Sequence, residues 1–471
     1  MKLTNEIPSA QGADPVFEKH GSPFLVYGKG KVALNDRAVA AKCAAKHMLK
    51  YDSKSKSYER YDGSRGIWVV VSEVSVVGNL DGVIVQLGET HRQQDFVRRI
   101  SSARLSSLCR MMRPHDVPVE SVDITGLVHA SNGVVDLRAS KPKLLPHDPK
   151  YPFRASSGIK FDAKANCPKF LKQFLGAALE QADIALVQKY CGSMLLGPNT
   201  CHGILIIRGT AGGGKSSLVT CFEKVLGEHM VAHLRTEQLG SRFETSAFLG
   251  KRFLVGKDVP GDTLAVSGAR MLKSLVGGDL MQVEINFNPD KQPVRGDFHC
   301  IIVSNNNLHI ALDGDTDAWS RRLLVVDFEK SKPKKPIPNF AEKLVEEEGS
   351  GILNWLIEGA LAYRTEMTKF GHLHLNDKQI ARVTTLLQDS DNVTEFVKQT
   401  IVPEAGQDVT SEELLMCYYK KCENQNWTPV ASQTFFTRVP DLLGKMFKST
   451  RRNDITREGR AVRGYKGVAL A

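Results

Sequence analysis

The sequence predicts an α/β fold centred on a parallel sheet flanked by helices, and three observations predict it. Residues 204–207 (ILII) are an unbroken apolar run, the pattern of a strand buried on both faces. That run enters Gly209-Thr210-Ala211-Gly212-Gly213-Gly214-Lys215-Ser216-Ser217. Leu218, Val219, Phe222 and Leu226 then recur at helical spacing, and Gly227 stands where a C-cap glycine would. Further along, two more apolar runs (253–255 and 301–303) end in polar residues, and a third (323–326) is entered by Arg321-Arg322. Strands of this kind, with polar groups at one end, predict a parallel sheet with its ligand at the strand carboxyl ends.

The glycine-rich stretch matches G-x-x-x-x-G-K-[ST]. Glycines let backbone N–H groups approach a phosphate chain, and the helix N-terminus adds partial positive charge. Lys215 can reach the β/γ-phosphates, and the Ser216 hydroxyl can hold Mg²⁺. The competing reading is a glycine-rich turn that happens to contain Lys-Ser. The strand before it and the helix after it disfavour that. ATP and Mg²⁺ are therefore the expected cofactors. Asp258, at the end of its apolar run, can hold Mg²⁺ through water and polarise the attacking water. An Asn at the end of the next run can orient the same water.

With 471 residues the chain has room for about three domains. A net charge of +11 favours a polyanionic partner, although basic charge alone is common among soluble enzymes. Nine cysteines, none in a C-x-x-C pair, predict buried thiols rather than a zinc site or a disulfide frame. No apolar core in the first fifteen residues and no long apolar run predict a cytoplasmic protein with no membrane partner.

In chain order, residues 1–160 read as an α/β accessory region. Residues 58–71 predict a hairpin around Asp62-Gly63, residues 96–112 a basic helix, and Asn132-Gly133 a second turn and strand. His147 before Asp148-Pro149 reads as a turn residue. Residues 161–200 predict two helices leading into the first strand, residues 201–385 the nucleotide-binding core, and residues 386–471 a small separate domain. That last domain has apolar helices, then a Gly-containing hairpin and a basic tail, which predict a winged-helix-like fold. Arg451, Arg452, Arg460, Arg463 and Lys466 are its candidate DNA contacts. The basic, proline-rich residues 330–338 read as a solvated connector.

The ordered set GTAGGGKSS, GKDVP, LKSLVGGDLMQVE, IIVSNNNL, DAWSRRLLVVDF and GILNWLIEGAL resembles the superfamily 3 helicases, in particular the phage and plasmid type related to the poxvirus D5 protein. NGVVDL with HDP, and CPKFLKQFL, resemble that family's amino-terminal region; residues 391–471 resemble its carboxyl-terminal domain. The resemblance implies a hexameric AAA+ ring that moves 3′-to-5′ on DNA, with arginine fingers acting between subunits. It implies single-stranded and forked DNA as partners, a homo-hexamer, and a separate primase. Carried over residue by residue, Lys215 and Ser216 take the Walker A roles and Asp258 the Walker B role. Asn306 becomes the sensor, with Asn305 as runner-up; Arg322 becomes the finger, with Arg321 as runner-up.

Two departures stand out. Lys257 precedes Asp258 where many members carry a second acid, which makes Asp262 a candidate substitute. The segment after Glu284, a basic DNA-gripping hairpin in the family, reads Ile285-Asn286-Phe287-Asn288-Pro289-Asp290-Lys291, so Lys291 is the candidate at its tip. Three functions remain open: an ATP-driven DNA helicase for a mobile element, an ATP-dependent origin-binding initiator, and a P-loop enzyme acting on a small molecule. The arginine pair and the basic tail disfavour the third.

Overall fold

The structure, a computed structural model, describes residues 3–6 and 14–471 except 54, 113–121, 236–237, 240–243, 258, 260–267, 286–287, 306–307, 309, 311, 313–315, 330–334, 426 and 428. The chain divides into two compact units, residues 1–163 and 164–471.

The first unit holds three small antiparallel sheets: β1 (Leu3–Glu6), β2 (Phe24–Tyr27) and β3 (Lys31–Leu34); β4 (Leu49–Asp52), β5 (Ser57–Asp62) and β6 (Ile67–Val71); and β7 (Leu127–Ala130), β8 (Gly133–Asp136) and β9 (Lys143–Leu145). Its helices are α1 (Pro15–His20), α2 (Asp36–His47), α3 (Glu73–Thr90), α4 (Gln94–Val97) and α5 (Ser102–Met112). Side-chain caps fix the helix starts: the Asn35 carbonyl oxygen accepts from Ala38 N–H, and the Ser72 hydroxyl from Ser75 N–H. Phe24, Val39, Cys43, Leu80, Ile84 and Leu108 bury the shared core.

Two expectations change here. The β5–β6 hairpin forms, but its loop has four residues instead of an Asp-Gly turn, because the Asp62 carboxylate accepts from Ser64 and Arg65 N–H and holds a wider loop. The helix expected over 96–112 is broken in two, since the Ser101 hydroxyl caps Arg104 N–H and starts α5 afresh. His147 stacks on His129 and hydrogen-bonds the Ala130 carbonyl, a structural role.

The second unit opens with a π-helix, Lys169–Leu175, and α6 (Gln181–Ser193). Five parallel strands follow: β10 (Ile204–Arg208), β11 (Val231–His233), β12 (Phe253–Gly256), β15 (His299–Ser304) and β16 (Leu323–Asp327), in the order β11-β12-β15-β10-β16. Between them come α7 (Lys215–Leu226), α8 (Gly268–Val276), an antiparallel hairpin of β13 (Leu280–Ile285) and β14 (Asn288–Arg295), and α9 (Thr316–Ser320). The long α10 (Phe340–Phe370) and α11 (Asp377–Ser390) close the layer.

The run 204–207 is apolar throughout because both faces of β10 are covered. Ile204 and Ile206 join Leu272, Trp319, Val383 and Leu386 in one cluster, while Leu205 and Ile207 are equally buried on the opposite face. The arrangement matches an AAA+ P-loop core: the second strand in sequence lies at one edge, and β15 is inserted between β10 and β12. That insertion puts the end of β15 beside the loop after β10.

The carboxyl-terminal domain has α12 (Asn392–Thr400), β17 (Ile401–Thr410), α13 (Ser411–Gln425), α14 (Ser432–Phe447), β18 (Arg451–Arg457) and β19 (Arg460–Leu470), with sheet order β17-β19-β18. This helix–strand–helix–helix–strand–strand order is that of a winged helix. The boundary expected at residue 386 falls inside α11, whose Leu386 and Leu387 belong to the core cluster of the parallel sheet; the small domain begins at α12. Among the described residues no helix is long and apolar enough to cross a membrane.

Candidate nucleotide site at the carboxyl end of the parallel sheet

The loop between β10 and α7 is shaped by its glycines. Gly209 has φ +147, and a Cβ there would lie 2.2 Å from the Phe328 carbonyl oxygen, so the loop can pass β16 only without a side chain. Gly214 has φ +106 and takes the N-cap position of α7 with no side-chain cap, its Cα edge against the Phe174 ring. No side chain caps the first turn of α7, and a glycine-flanked helix N-terminus is the arrangement a phosphate needs. Thr210, Ala211, Gly212 and Gly213 form the turn between them.

Lys215 is 3% exposed. Its ammonium donates to the Gly209 and Thr210 carbonyls at 2.7 and 2.8 Å and to the Asn305 amide oxygen at 2.7 Å. The charge is therefore held over the loop by groups it can exchange for phosphate oxygens. Ser216 and Ser217 follow in the first turn of α7, both half-buried. The glycine cradle, the uncapped helix end and the held ammonium fit a nucleoside triphosphate. Among the described residues no group of three or more His, Cys, Asp or Glu could hold a metal; of the expected Mg²⁺ ligands, Ser216 is in the first turn of α7 and Asp258 lies outside the described residues.

The sensor position expected at Asn306 lies outside the described residues, whereas its runner-up Asn305 touches Lys215. Asp258 and Asp262 also lie outside them. Lys257 has a partner that sequence alone did not suggest: its ammonium donates to Glu223 at 2.7 Å and Thr220 at 3.1 Å, both on α7. Ser216, Thr220 and Glu223 share one helix face, so Lys257 points along α7, away from the phosphate end.

A second chain of charges was not anticipated. Arg208 and Asp327 are register partners at the ends of β10 and β16 and form an ion pair. Arg382 of α11 reaches Asp327 at 3.1 Å and Asp183 of α6 at 2.7 Å. Each residue ends or flanks an apolar run, but only the strand register reveals the pairing.

Arg322 stands at the other end of the sheet. Its carbonyl accepts from Ile204 N–H at 2.7 Å, beside the first residue of β10. Five parallel residues, roughly 16 Å, separate it from the glycine loop of the same chain. Its Nη1 donates to the Ala318 carbonyl at 2.7 Å, while its buried Nε has no hydrogen-bond partner among the described residues. His202 nearby is held below its ordinary pKa by burial and by the Arg322 charge, with Asp279 opposing. Arg321 is exposed, its Nε near the Asp317 carbonyl.

The hairpin expected after Glu284 is present, but Lys291 is not at its tip. Pairing runs to Ile285 with Asn288, so the strands are joined through residues 286–287, outside the described residues, and Lys291 lies within β14. In the winged helix, Arg452 and Lys466 both pair with Asp454, at 3.0 and 3.1 Å, while Arg451, Arg460 and Arg463 are exposed and form no ion pair among the described residues. All nine cysteines are free, most of them buried, and burial raises Cys43, Cys167, Cys221 and Cys300 to about 12, as inert thiols require.

Fold and loop together define a P-loop protein of the AAA+ type. Residues 36–180 match the D5 N terminal like family, and residues 207–322, from the end of β10 to Arg322, match a family of unknown function (DUF5906). The match over residues 36–180 supports placing the chain with the D5-like phage and plasmid primase-helicases. No curated protein matches it. Among solved structures, the apo structure of the NrS-1 C terminal region (305–718) is 12% identical, covering 91% of this chain and 98% of its own, with a TM-score of 0.45. The A form apo structure of the same region is 13% identical over the same shares, with a TM-score of 0.46.

Proposed function

We propose that the protein is an ATP-dependent DNA helicase that serves replication of a phage, plasmid or other mobile element, acting as a hexameric ring with 3′-to-5′ polarity. The observation that carries this reading is the placement of Lys215 and Arg322 at opposite ends of one parallel sheet. A phosphate cradle and an arginine about 16 Å apart in one chain cannot meet on one nucleotide. Two subunits side by side can bring them together, which is the logic of an arginine finger supplied in trans.

In this reading Lys215 and the α7 N-terminus bind the phosphates, and Ser216 with Asp258 holds Mg²⁺, which supplies neutralising charge when bound. Asn305 orients the attacking water, and Arg322 of a neighbour meets the charge that develops on the transferred phosphoryl group. The β13–β14 hairpin and the winged helix contact DNA. Displacement of a strand from a forked duplex, with ATP and Mg²⁺, tests the proposal; ATP hydrolysis without displacement would overturn it. The winged helix favours one second reading, an origin-binding initiator that uses ATP to assemble on DNA. That protein would bind duplex and hydrolyse ATP but leave the fork intact.

A further inference from the structure

We infer that the carboxyl-terminal domain grips duplex DNA through its wing, by arginine contacts to backbone phosphates, and that α14 does not read bases in the major groove. The inference rests on the DNA-acting function proposed above and goes beyond it by naming the surface and its chemistry.

In a winged helix, α14 holds the place of the helix that enters the major groove. Its exposed side chains do not suit that task. Gln433, Thr434, Thr437, Asp441, Lys445 and Met446 face solvent, and the one acid offsets the one base. Arg438, the other cation of α14, is drawn back to Asp391 and Thr394 at the root of the domain. Pro440 lies inside the helix and cannot donate the backbone hydrogen bond of its position. A face without net charge releases no counterions and gains little from a polyanion.

The wing is built differently. β18 and β19 join through Glu458 and Gly459, with φ of +51 and +74, the backbone of a tight hairpin turn. Arg460 beside this turn, Arg463 further along β19 and Arg451 at the start of β18 are exposed and without ion pairs among the described residues. Arg457 is used differently. It bonds Asp408 of β17 at 2.6 Å and Glu413 of α13 at 2.8 Å, and Glu413 also closes a capping box with Thr410. The turn end of the hairpin is therefore fastened to the domain before any ligand arrives, which lowers the ordering cost of binding. Arg452 and Lys466 are held by Asp454, whose carboxyl these two bonds keep well below the usual carboxylate range. Three guanidinium groups on a fastened hairpin suit phosphate oxygens, which they can meet with paired hydrogen bonds. Such contacts carry no base information and are steeply salt-dependent.

The test uses the full chain and a fluorescent 30-base-pair duplex of random sequence, with affinity measured against salt concentration. Arg451→Gln, Arg460→Gln and Arg463→Gln combined should weaken binding at low salt by at least tenfold. It should also flatten the slope of log affinity against log salt by about 2 to 3. Gln433→Ala, Thr437→Ala and Asp441→Ala combined should change neither. Asp454→Asn frees Arg452 and Lys466 and should tighten binding and steepen the slope, a gain that misfolding cannot mimic. Loss of binding in the α14 variant with an unchanged wing variant overturns the inference, as does an unchanged slope in both wing variants. A parent protein that still unwinds forks in those cases keeps the proposed function. One that hydrolyses ATP but neither binds nor unwinds DNA overturns both.

Discussion

The Lys215 ammonium donates to the Asn305 amide oxygen at 2.7 Å, joining the first residue of α7 to the turn after β15. The two sides of this contact are expected to fail differently. Lys215→Ala removes the charge that meets the phosphates and should take ATP turnover to background. Asn305→Ala leaves that charge in place and should lower kcat roughly 10²-fold, with ATP affinity changed only a few-fold. Steady-state ATPase rates beside direct nucleotide binding separate the two. A normal kcat in Asn305→Ala would return the role to Asn306.

Arg322 and Lys215 lie too far apart in one chain to act on the same nucleotide, so complementation should occur between chains. Arg322→Ala and Lys215→Ala proteins are each expected to be nearly inactive, with a loss of roughly 10³-fold or more for Arg322→Ala. Mixed under conditions where subunits exchange, they should regain part of the activity, because some interfaces pair the intact Lys215 of one with the intact Arg322 of the other. The measurement is ATPase rate against mixing ratio. A flat line at background, with exchange confirmed independently, would remove Arg322 from the finger role.

The Lys257–Glu223 pair replaces the second acid of the family pattern with a tie between β12 and α7. Lys257→Glu sets two carboxylates against each other in a mostly buried place and should cost about 2 kcal/mol of stability. Adding Glu223→Lys should recover most of it. Denaturant midpoints of the two single variants and the double variant check this. No recovery in the double variant would mean that the pair contributes nothing as a pair.

Burial pushes His299 down to about 4. Its Nε2–H donates to the Gly197 carbonyl at 3.0 Å, so the neutral ring is the form that fits. The unfolded chain takes up a proton near pH 6.5 and the folded chain only near 4, so the unfolded state binds more protons between these values. Stability is full above pH 6.5 and should fall by up to about 3 kcal/mol as the pH drops to 4. Melting temperature against pH should show a shallower fall in His299→Asn, which cannot titrate. Parallel curves for the two proteins would sink the assignment.

The glycine loop and its flanking strand and helix were legible in the sequence because they are local: the apolar run, the turn glycines and the helical stripe are contiguous. The winged helix was legible in outline, yet β17 was missed. Its sequence IVPEAGQDVT contains Pro403 and Gly406 and is largely exposed, so it lacks the alternation that marks a strand. The partners of Lys257, Arg208 and Arg322 were not legible at all. They depend on which strands lie side by side, and no spacing along the chain encodes that β15 sits between β10 and β12. Lys291 was misplaced for the opposite reason, since a one- or two-residue change in where a hairpin turns is invisible until its register is known.

Helix α11 touches three places at once. Arg382 joins it to Asp327 beside the glycine loop, and the Ser390 hydroxyl accepts from Ile310 N–H beyond β15. Asp391, which ends it, is held by Arg438 of α14. Only Asp391 separates α11 from α12, so there is no slack between the two domains to absorb movement. Fourteen residues make a rod about 21 Å long, and a tilt at the Arg382 end reappears at the wing as a swing in proportion to that length. In the proposed helicase the helix is thus a rigid link between phosphate site and wing. A short glycine-serine insertion after Ser390 should free the wing to turn on its own, leaving ATP turnover and duplex binding in place while strand displacement per ATP collapses.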